Sequence, residues 1–544
     1  VVISTFAALT ITPMLATKLL VRQEKKSWLY SRTEPFFVWL NDFYSRTLAA
    51  FLRRRWIALP IVALTVALIG WLWSTIPAEM APLEDRSQIS ITTRGSEGAT
   101  YEYIRDYTEE INRLVDSLVP GSESVTARVS SGSGNVRIAL TDISTRKRSQ
   151  MEIAEQISAA VRSKTKARSF VQQQSTFGGR RGRMPVQYVL QATNLERLQE
   201  VLPEFMTRVY ESPVFQMADV DLKFSKPEVR IEVNRDKANL LGVSTRNIAQ
   251  TLQYGLSGQR LGYFYMNGKQ YEILAEINRQ QRNKPADLRS IYVRSDKGEM
   301  IQLDNLISMA ENVAPPQLYH YNRFISATVS AGLAKGKTIG QGLDEMDRIA
   351  DETLGDDFRT ALAGDSKEFR ESSSSLMFAF VLAILLIYLI LAAQFESFKD
   401  PLVIMLTVPL AIAGALVFMW GADQTMNIFS QIGIIMLIGL VAKNGILIVE
   451  FANQKQEAGL DKMRAIEEAS LQRLRPILMT SASTILGLLP LTVATGEGAN
   501  GRIAMGIAVV GGMVVSTLLT LYIVPAIYSY VSTNRIKQSK NNDA

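Results

Sequence analysis

Seven apolar runs, each long enough to cross a bilayer as a helix, divide this chain of 544 residues. They cover roughly Val1–Leu20, Trp56–Ile76, Leu376–Ala393, Leu402–Trp420, Ile428–Phe451, Ile477–Val493 and Ile503–Tyr528. About 300 mostly polar residues separate the second run from the third, enough for two or more compact domains. The pattern predicts a polytopic α-helical membrane protein with one large soluble insertion. Val1–Leu20 reads as a membrane helix and not as a signal peptide, because its basic residues follow the apolar run instead of preceding it. With no initiator methionine, the chain reads as part of a longer protein.

The fifth run carries a lysine at its centre. Lys443 lies too far from either end to snorkel easily, and a lysine at such a depth costs about 2.5–3.5 kcal/mol on insertion scales. An interior anionic partner is the natural compensation. Glu450 lies two turns away toward the membrane edge, and no other Asp or Glu is expected inside a span. The unmatched charge therefore points to proton or ion coupling with a carboxylate from another segment.

The net charge is +7, and its placement is more informative than its size. Arg22, Lys25, Lys26, Arg32, Arg46, Arg53, Arg54 and Arg55 crowd the first inter-span segment. Lys455, Lys462, Arg464, Arg473 and Arg475 fill another, and Arg535, Lys537 and Lys540 follow the last span. The positive-inside rule places these segments in the cytoplasm and the large insertion on the other side. The basic balance thus reads as membrane anchoring, with no nucleic-acid partner. Glu34–Arg46, with aromatics along one side, reads as an amphipathic helix on the membrane surface. Absent cysteine rules out disulfides and thiolate metal sites, and the single histidine, His320, beside a proline turn reads as packing or loop.

The insertion alternates strand and helix signals. Gln88–Thr93, Ser124–Val129 and Val136–Leu140 read as strands, with helices at Tyr101–Leu118 and Glu152–Arg162. Ile104, Tyr107, Ile111 and Leu114 form the apolar face of the first helix. A second unit comprises strand Val186–Gln191, helix Leu195–Glu211 and strand Ala218–Phe224. A third comprises strand Ile325–Ser330 and helix Ile339–Leu354, with Asp357–Ala361 closing the layer. Between them, Pro227 to Val313 has strands at Val229–Val233, Tyr271–Ile277 and Ile291–Arg294 and a helix at Thr245–Tyr254. The result is a split βαβ layer of ferredoxin-like type holding an α+β insert.

Two local patterns compete with this reading. Ala331–Thr338 has the look of a Walker A loop, but it would lie outside the cytoplasm, and no convincing Walker B strand accompanies it. Gly178–Arg183 looks like an RNA-binding arginine–glycine patch, but the same topology favours a cationic hinge. A fainter signal is an internal echo. Ser4-Thr5 followed by Pro13 has the spacing of Ser516-Thr517 followed by Pro525, as duplicated transporter halves would. On that reading Val1–Leu20 is the last helix of a preceding repeat.

Several stretches carry a family resemblance. Gly439-Leu440-Val441-Ala442-Lys443-Asn444-Gly445-Ile446-Leu447-Ile448-Val449-Glu450-Phe451 resembles the tenth membrane helix of resistance-nodulation-division (RND) transporters of the hydrophobe/amphiphile efflux type. Arg473-Leu474-Arg475-Pro476-Ile477-Leu478-Met479-Thr480-Ser481, followed by Leu486–Leu491, resembles their eleventh, and Ala393–Phe398 resembles the loop after their eighth. The resemblance implies the C-terminal half of such a pump: residues 1–20 as the end of helix six, 21–55 as a cytoplasmic linker with a surface helix, and 56–76 as helix seven. It implies a first porter module at 82–177, a second at 184–226 with 315–367, a docking subdomain at 227–314, helices eight to twelve at 376–528 and a basic tail at 529–544.

The resemblance further implies a secondary active transporter, not an enzyme, driven by the proton-motive force without metal or organic cofactor. It implies a homotrimer in a Gram-negative inner membrane, working with a periplasmic adaptor (membrane fusion) protein and an outer-membrane channel on small amphiphilic substrates, including antibiotics. The proton relay would comprise Lys443, Asn444, Arg473 and Thr480, facing aspartates on a fourth helix that is not in this sequence. The chain departs from the family at Ser130–Asn135, where better-known members carry a longer, Phe-containing loop. Arg128, Arg137 and Gln172–Gln174 lie near it, so a polar substrate path including Arg128, Gln173 and Phe177 is expected. An RND-type lipid or protein-export transporter would share these features, and a membrane ATPase using residues 331–338 would leave Lys443 unexplained.

Overall fold

The computed structural model describes residues 2–19, 28–173, 184–315, 317–496 and 498–532. Helices α1 (Val2–Leu19), α2 (Trp28–Arg53) and α3 (Ala58–Thr75) lead into the soluble part. The α2 helix docks through Tyr44, Leu48 and Leu52, all buried, and the Tyr44 hydroxyl donates to the Leu521 carbonyl at 2.6 Å. Phe36, Trp39 and Phe43 face outward. Helix α2 therefore has one face packed on the bundle and one exposed aromatic face.

The soluble part contains two sheets of one topology. The first runs β1 (Gln88–Arg94), α4 (Tyr101–Leu118), β2 (Ser122–Ser130), β3 (Ser133–Leu140), α5 (Gln150–Arg162) and β4 (Arg168–Gln173). Its strand order is β2-β3-β1-β4, antiparallel throughout, with Ile89, Ile91, Val136 and Ile138 packed against the helices. On α4 the buried stripe is Ile104, Tyr107, Thr108, Ile111 and Val115; Leu114 sits only at its margin. A capping box, in which Ser149 and Glu152 exchange hydrogen bonds with each other's backbone, starts α5.

The second sheet begins with β5 (Val186–Ala192), α6 (Leu195–Glu211) and β6 (Phe215–Val220). The chain then leaves for β7 (Lys226–Val233), α7 (Arg235–Leu240), α8 (Thr245–Leu256), β8 (Gln259–Met266), β9 (Lys269–Ala275), β10 (Tyr292–Arg294), β11 (Met300–Gln302) and β12 (Ile307–Ala314). It returns as β13 (Tyr319–Tyr321), β14 (Phe324–Leu333), α9 (Ile339–Thr353) and β15 (Arg359–Leu362). β14 pairs with β5 on one side and with β13 and β6 on the other, and β15 closes the free edge of β5. Both sheets therefore carry the βαββαβ arrangement of a ferredoxin-like sandwich, the second interrupted between its second and third core strands. Antiparallel pairing on both sides of β14 is unlike the parallel sheet that feeds a nucleotide-binding loop. Lys335, in the turn after β14, is engaged by Glu155 at 2.9 Å.

Several strands depart from expectation, and β4, β11, β12 and β13 add to those read from the sequence. β8 is absent from the sequence pattern because Tyr263-Phe264-Tyr265-Met266 run without apolar–polar alternation, whereas its equally exposed partner β9 overlaps the expected strand Tyr271–Ile277. β6 starts at Phe215, three residues before the expected strand. The supposed loop Ser130–Asn135 is a tight hairpin whose turn is Ser131-Gly132, with Gly132 at φ +78°; Ser133, Gly134 and Asn135 belong to β3. His320 lies exposed in β13, not in a loop.

The chain then enters α10 (Gly364–Phe395), α11 (Lys399–Met405), α12 (Thr407–Gly421), α13 (Ile428–Glu457), α14 (Lys462–Thr492) and α15 (Ala499–Val531). Six of the described helical segments are long and apolar enough to cross a membrane, the α3 segment and five formed by α10 to α15. α10 starts immediately after β15, so its polar first turns, including Ser372–Ser375, are helical outside the apolar span. The predicted span Leu402–Trp420 is interrupted after Met405, because Pro409 has no N–H to return to the Met405 carbonyl. α15 packs against α12, α13 and α14. Gly511 and Gly512 permit that approach: a Cβ on Gly512 would meet the Ala411 carbonyl oxygen at 2.9 Å and would collide with Leu437. Between bundle and sheets, the Glu79 N–H donates to the Met426 carbonyl at 3.0 Å, and Met426 N–H donates to Pro77 at 2.9 Å.

Gly512→Val should cost about 2 kcal/mol by separating α15 from α12 and α13, read as a lowered midpoint of detergent-induced unfolding. A second test concerns Glu79, whose carboxyl burial pushes up, opposed by the Thr425 hydroxyl that donates to it. A raised acid pKa stabilises the fold below the ordinary value of 4.5, and that contribution disappears as pH climbs through the raised value. Glu79→Gln should therefore flatten the fall in melting temperature between mildly acidic and neutral pH.

Candidate functional site

Helix α13 brings the candidate residues to the bundle centre. Its start is fixed by Asn427, whose side chain accepts from the Phe429 and Ser430 N–H groups at 3.0 and 3.1 Å. Small residues then let its inner face approach its neighbours: a Cβ on Gly433 would touch Met505 and Val509, and one on Gly445 would touch Ile404 and Thr407. The other face is uncovered. Ile432, Met436, Gly439 and Lys443 are exposed at helical spacing along it, with Glu450 half-buried beyond them. The Lys443 ammonium makes no hydrogen bond or ion pair with any described residue. Glu450 accepts instead from Gln454 at 3.1 Å.

Asn444, one residue on, points the other way. It is 2% exposed, and its Nδ2 donates to Ser481 Oγ on α14 at 3.2 Å and to Thr517 Oγ1 on α15 at 3.5 Å. A 100° step per residue separates an exposed cation from a buried amide here. Thr517 belongs to the Ser-Thr pair of the internal echo. Thr480 does not take part in this contact; its hydroxyl donates to the Ile477 carbonyl at 3.2 Å. Arg473 lies two turns before Thr480, with its guanidinium carbon 4.4 Å from the Phe451 ring centroid and its Nε buried without an acceptor. The structure thus joins Asn444 to Ser481 and Thr517, but joins Lys443 to neither Arg473 nor Thr480.

A second polar centre escaped the sequence reading. Asp400 lies at the start of the helical segment Lys399–Gly421, two residues before the predicted span Leu402–Trp420. It is 2% exposed, and accepts from Asn453 Nδ2 at 3.2 Å and Ser532 Oγ at 2.8 Å. Tyr528 donates to Asn453 Oδ1 and receives from Gln456 Nε2, both at 2.6 Å. The cluster ties together the ends of α11, α13 and α15 remote from the sheets. Only the three-residue spacing of Asn453 and Gln456 hinted at it, and that spacing is common on exposed faces too.

In the first soluble module, Arg128 and Arg137 are exposed on the open sheet face, where Asn135 donates to Ser90 and Thr92 at 2.9 and 3.1 Å. Gln173 lies on the opposite face and accepts from Gln150 Nε2 at 3.0 Å. Phe177, Gln174 and Gly178–Arg183 lie outside the described residues, as do Arg22, Lys25, Lys26 and the tail after 532.

Asp400→Leu should strand the Asn453 and Ser532 donors and cost about 3 kcal/mol, whereas Asn444→Leu should cost about 1 kcal/mol, because hydroxyls within helices can turn to backbone carbonyls. Unfolding midpoints of the two variants, measured side by side, check that order.

Comparison with known proteins covers nearly the whole chain. Residues 1–532 match the AcrB/AcrD/AcrF family. An uncharacterized transporter of Haemophilus influenzae is 31% identical over 546 residues, an alignment covering 98% of this chain and 53% of that protein. The chain thus spans about half the length of this curated relative.

Proposed function

Because this chain belongs to the AcrB/AcrD/AcrF family of RND transporters, we propose that it forms the C-terminal half of a proton-driven pump that expels amphiphilic compounds, drugs among them. The observation that carries this reading is Lys443, an ammonium at the middle of an apolar helix, turned out of the bundle and without a partner among the described residues. Such a charge is tolerated where an anion from a facing segment meets it. In the proposed cycle those anions are carboxylates of another part of the pump. While ionised they hold Lys443; on protonation the attraction disappears and the ammonium withdraws. One proton crossing at about 100 mV supplies about 2.3 kcal/mol, enough to bias α13 between two packed positions.

Asn444 carries that motion to α14 and α15 through Ser481 and Thr517. Thr480 serves a water-linked relay and Arg473 its exit. α10, continuous from the edge of the second sheet into the bundle, transmits displacement to the soluble part. In this reading the two ferredoxin-like units are porter modules and residues 227–314 a docking part. The assembly is a homotrimer in a Gram-negative inner membrane, with the modules in the periplasm, an adaptor protein and an outer-membrane channel. Arg128 and Phe177 contribute to the substrate path, and Gln173 braces it through Gln150.

The experiment is Lys443→Met in the whole pump, with folded trimer verified by size and efflux followed by retention of a fluorescent substrate. Retention should rise to that of cells without the pump. Efflux at the unaltered rate would exclude Lys443 from coupling.

A further inference from the structure

Three of the described membrane-crossing segments begin on a cation: Arg55–Thr75, Lys399–Gly421 and Lys462–Thr492. All three start at the bundle end remote from the sheets, and the last turn of α15 gathers them. Arg55 donates to Ser529 Oγ at 3.2 Å, and its guanidinium carbon lies 4.4 Å from the Tyr530 ring centroid. Lys462 donates to the Ser532 carbonyl, and the Ser532 hydroxyl donates to Asp400, the neighbour of Lys399. Lys462 stands within electrostatic reach of Arg55, Lys399 and Asp400 alike.

These three cations differ from other basic groups at the same end. Lys455 is paired with Glu468 at 3.3 Å and Arg475 with Glu34 at 3.4 Å. Arg55, Lys399 and Lys462 make no ion pair with any described residue. Asp400 is 2% exposed and is turned inward to Asn453 and Ser532. Asp461, next to Lys462, turns its carboxylate to the Met463 N–H at 3.2 Å. Positive charge at one end of a bundle is ordinary topology, but topology requires neither convergence nor missing partners.

Apolar groups complete the corner. Trp56 and Phe398, beside Arg55 and Lys399, are 63% and 72% exposed, and Leu59 and Leu402, one turn deeper, are exposed too. Cation, aromatic ring and aliphatic side chain follow one another here as phosphate, glycerol ester and acyl chain do in a phospholipid leaflet. We propose that this corner holds the head group of an anionic phospholipid, its phosphate among Arg55, Lys399 and Lys462 and its chains along Leu59 and Leu402. The bound phosphate ties the starts of three spans around α15 from outside, as Asp400 ties α11, α13 and α15 from within. The site does not depend on the transport cycle proposed above.

The whole pump, delipidated in a mild non-ionic detergent, is titrated with phosphatidylglycerol and with phosphatidylcholine of the same chains. Native mass spectrometry reads the dissociation constant of the first lipid bound per chain. Phosphatidylglycerol should bind about tenfold tighter or more. The Lys399 side chain makes no hydrogen bond or ion pair with a described residue, so Lys399→Gln leaves the fold intact. It should weaken phosphatidylglycerol about fivefold and phosphatidylcholine by less than about twofold, and Lys399→Arg should keep the original affinity. Arg55→Gln and Lys462→Gln should behave as Lys399→Gln does. Lys455→Gln and Arg475→Gln, which remove paired cations at the same end, should change neither lipid. Unchanged phosphatidylglycerol affinity in all three corner variants overturns the proposal. So does an equal loss in Lys455→Gln and Arg475→Gln, which would mark diffuse surface charge only. Glycerol 3-phosphate in large excess should displace no lipid; effective competition would mark a site for free phosphate esters and overturn the lipid assignment. None of these outcomes depends on the efflux phenotype of Lys443→Met, so the two proposals fail separately.

Discussion

A charged ammonium at the centre of an apolar helix governs how this bundle can be built. Lys443 cannot be packed among α12, α14 and α15 without an anion, and none of them carries one at its depth. The inner face of α13 is accordingly made of Gly433, Ile434, Leu437, Ile438, Val441, Asn444 and Gly445, all buried. Their close fit fixes the rotation of the helix and leaves Lys443 on the uncovered face. Burying the lysine without compensation would cost about 3 kcal/mol or more, a large share of the stability of a typical domain.

Two polar nodes divide the work of holding the helices together. Asn444, Ser481 and Thr517 form a small neutral node at mid-depth. Asp400, Asn453, Tyr528 and Ser532 form a tighter one at the end remote from the sheets, where each oxygen of a buried carboxylate takes a donor. Interhelical hydrogen bonds of the first kind are individually weak, whereas a buried carboxylate that loses its donors is costly. The far end is thus the firmer anchor, and the middle can shift at lower cost. The sheet end is held differently, through backbone bonds between Pro77–Glu79 and Met426 and through the unbroken α10.

Much of the architecture was legible because burial leaves periodic marks. The apolar runs located the membrane helices, and α4 and α6 matched their predicted limits because one face of each is packed on a sheet. Where burial leaves no mark, the sequence was silent. Strand β8 is exposed on both faces and its apolar residues Tyr263–Met266 do not alternate, so it carries no strand signal, although its partner β9 was read. Asp400 sits beside Lys399 and a proline, as a loop residue would, and only the folded bundle reveals the donors that reach it. Gln173 looked equivalent to Gln172, yet strand alternation sends it to the helix layer, where Gln150 holds it.

The sequence by itself determined which segments enter the apolar region, where the soluble insertion lies, and that Lys443 needs an anion. Those conclusions follow from local composition and from the cost of taking charge out of water, which no fold can avoid. Only the tertiary structure decided which way Lys443 faces, that Ser481 and not Thr480 meets Asn444, and that Asp219 gathers cations from two modules. Such facts depend on how helices rotate and how sheet edges approach, and residues far apart in the chain set those angles jointly.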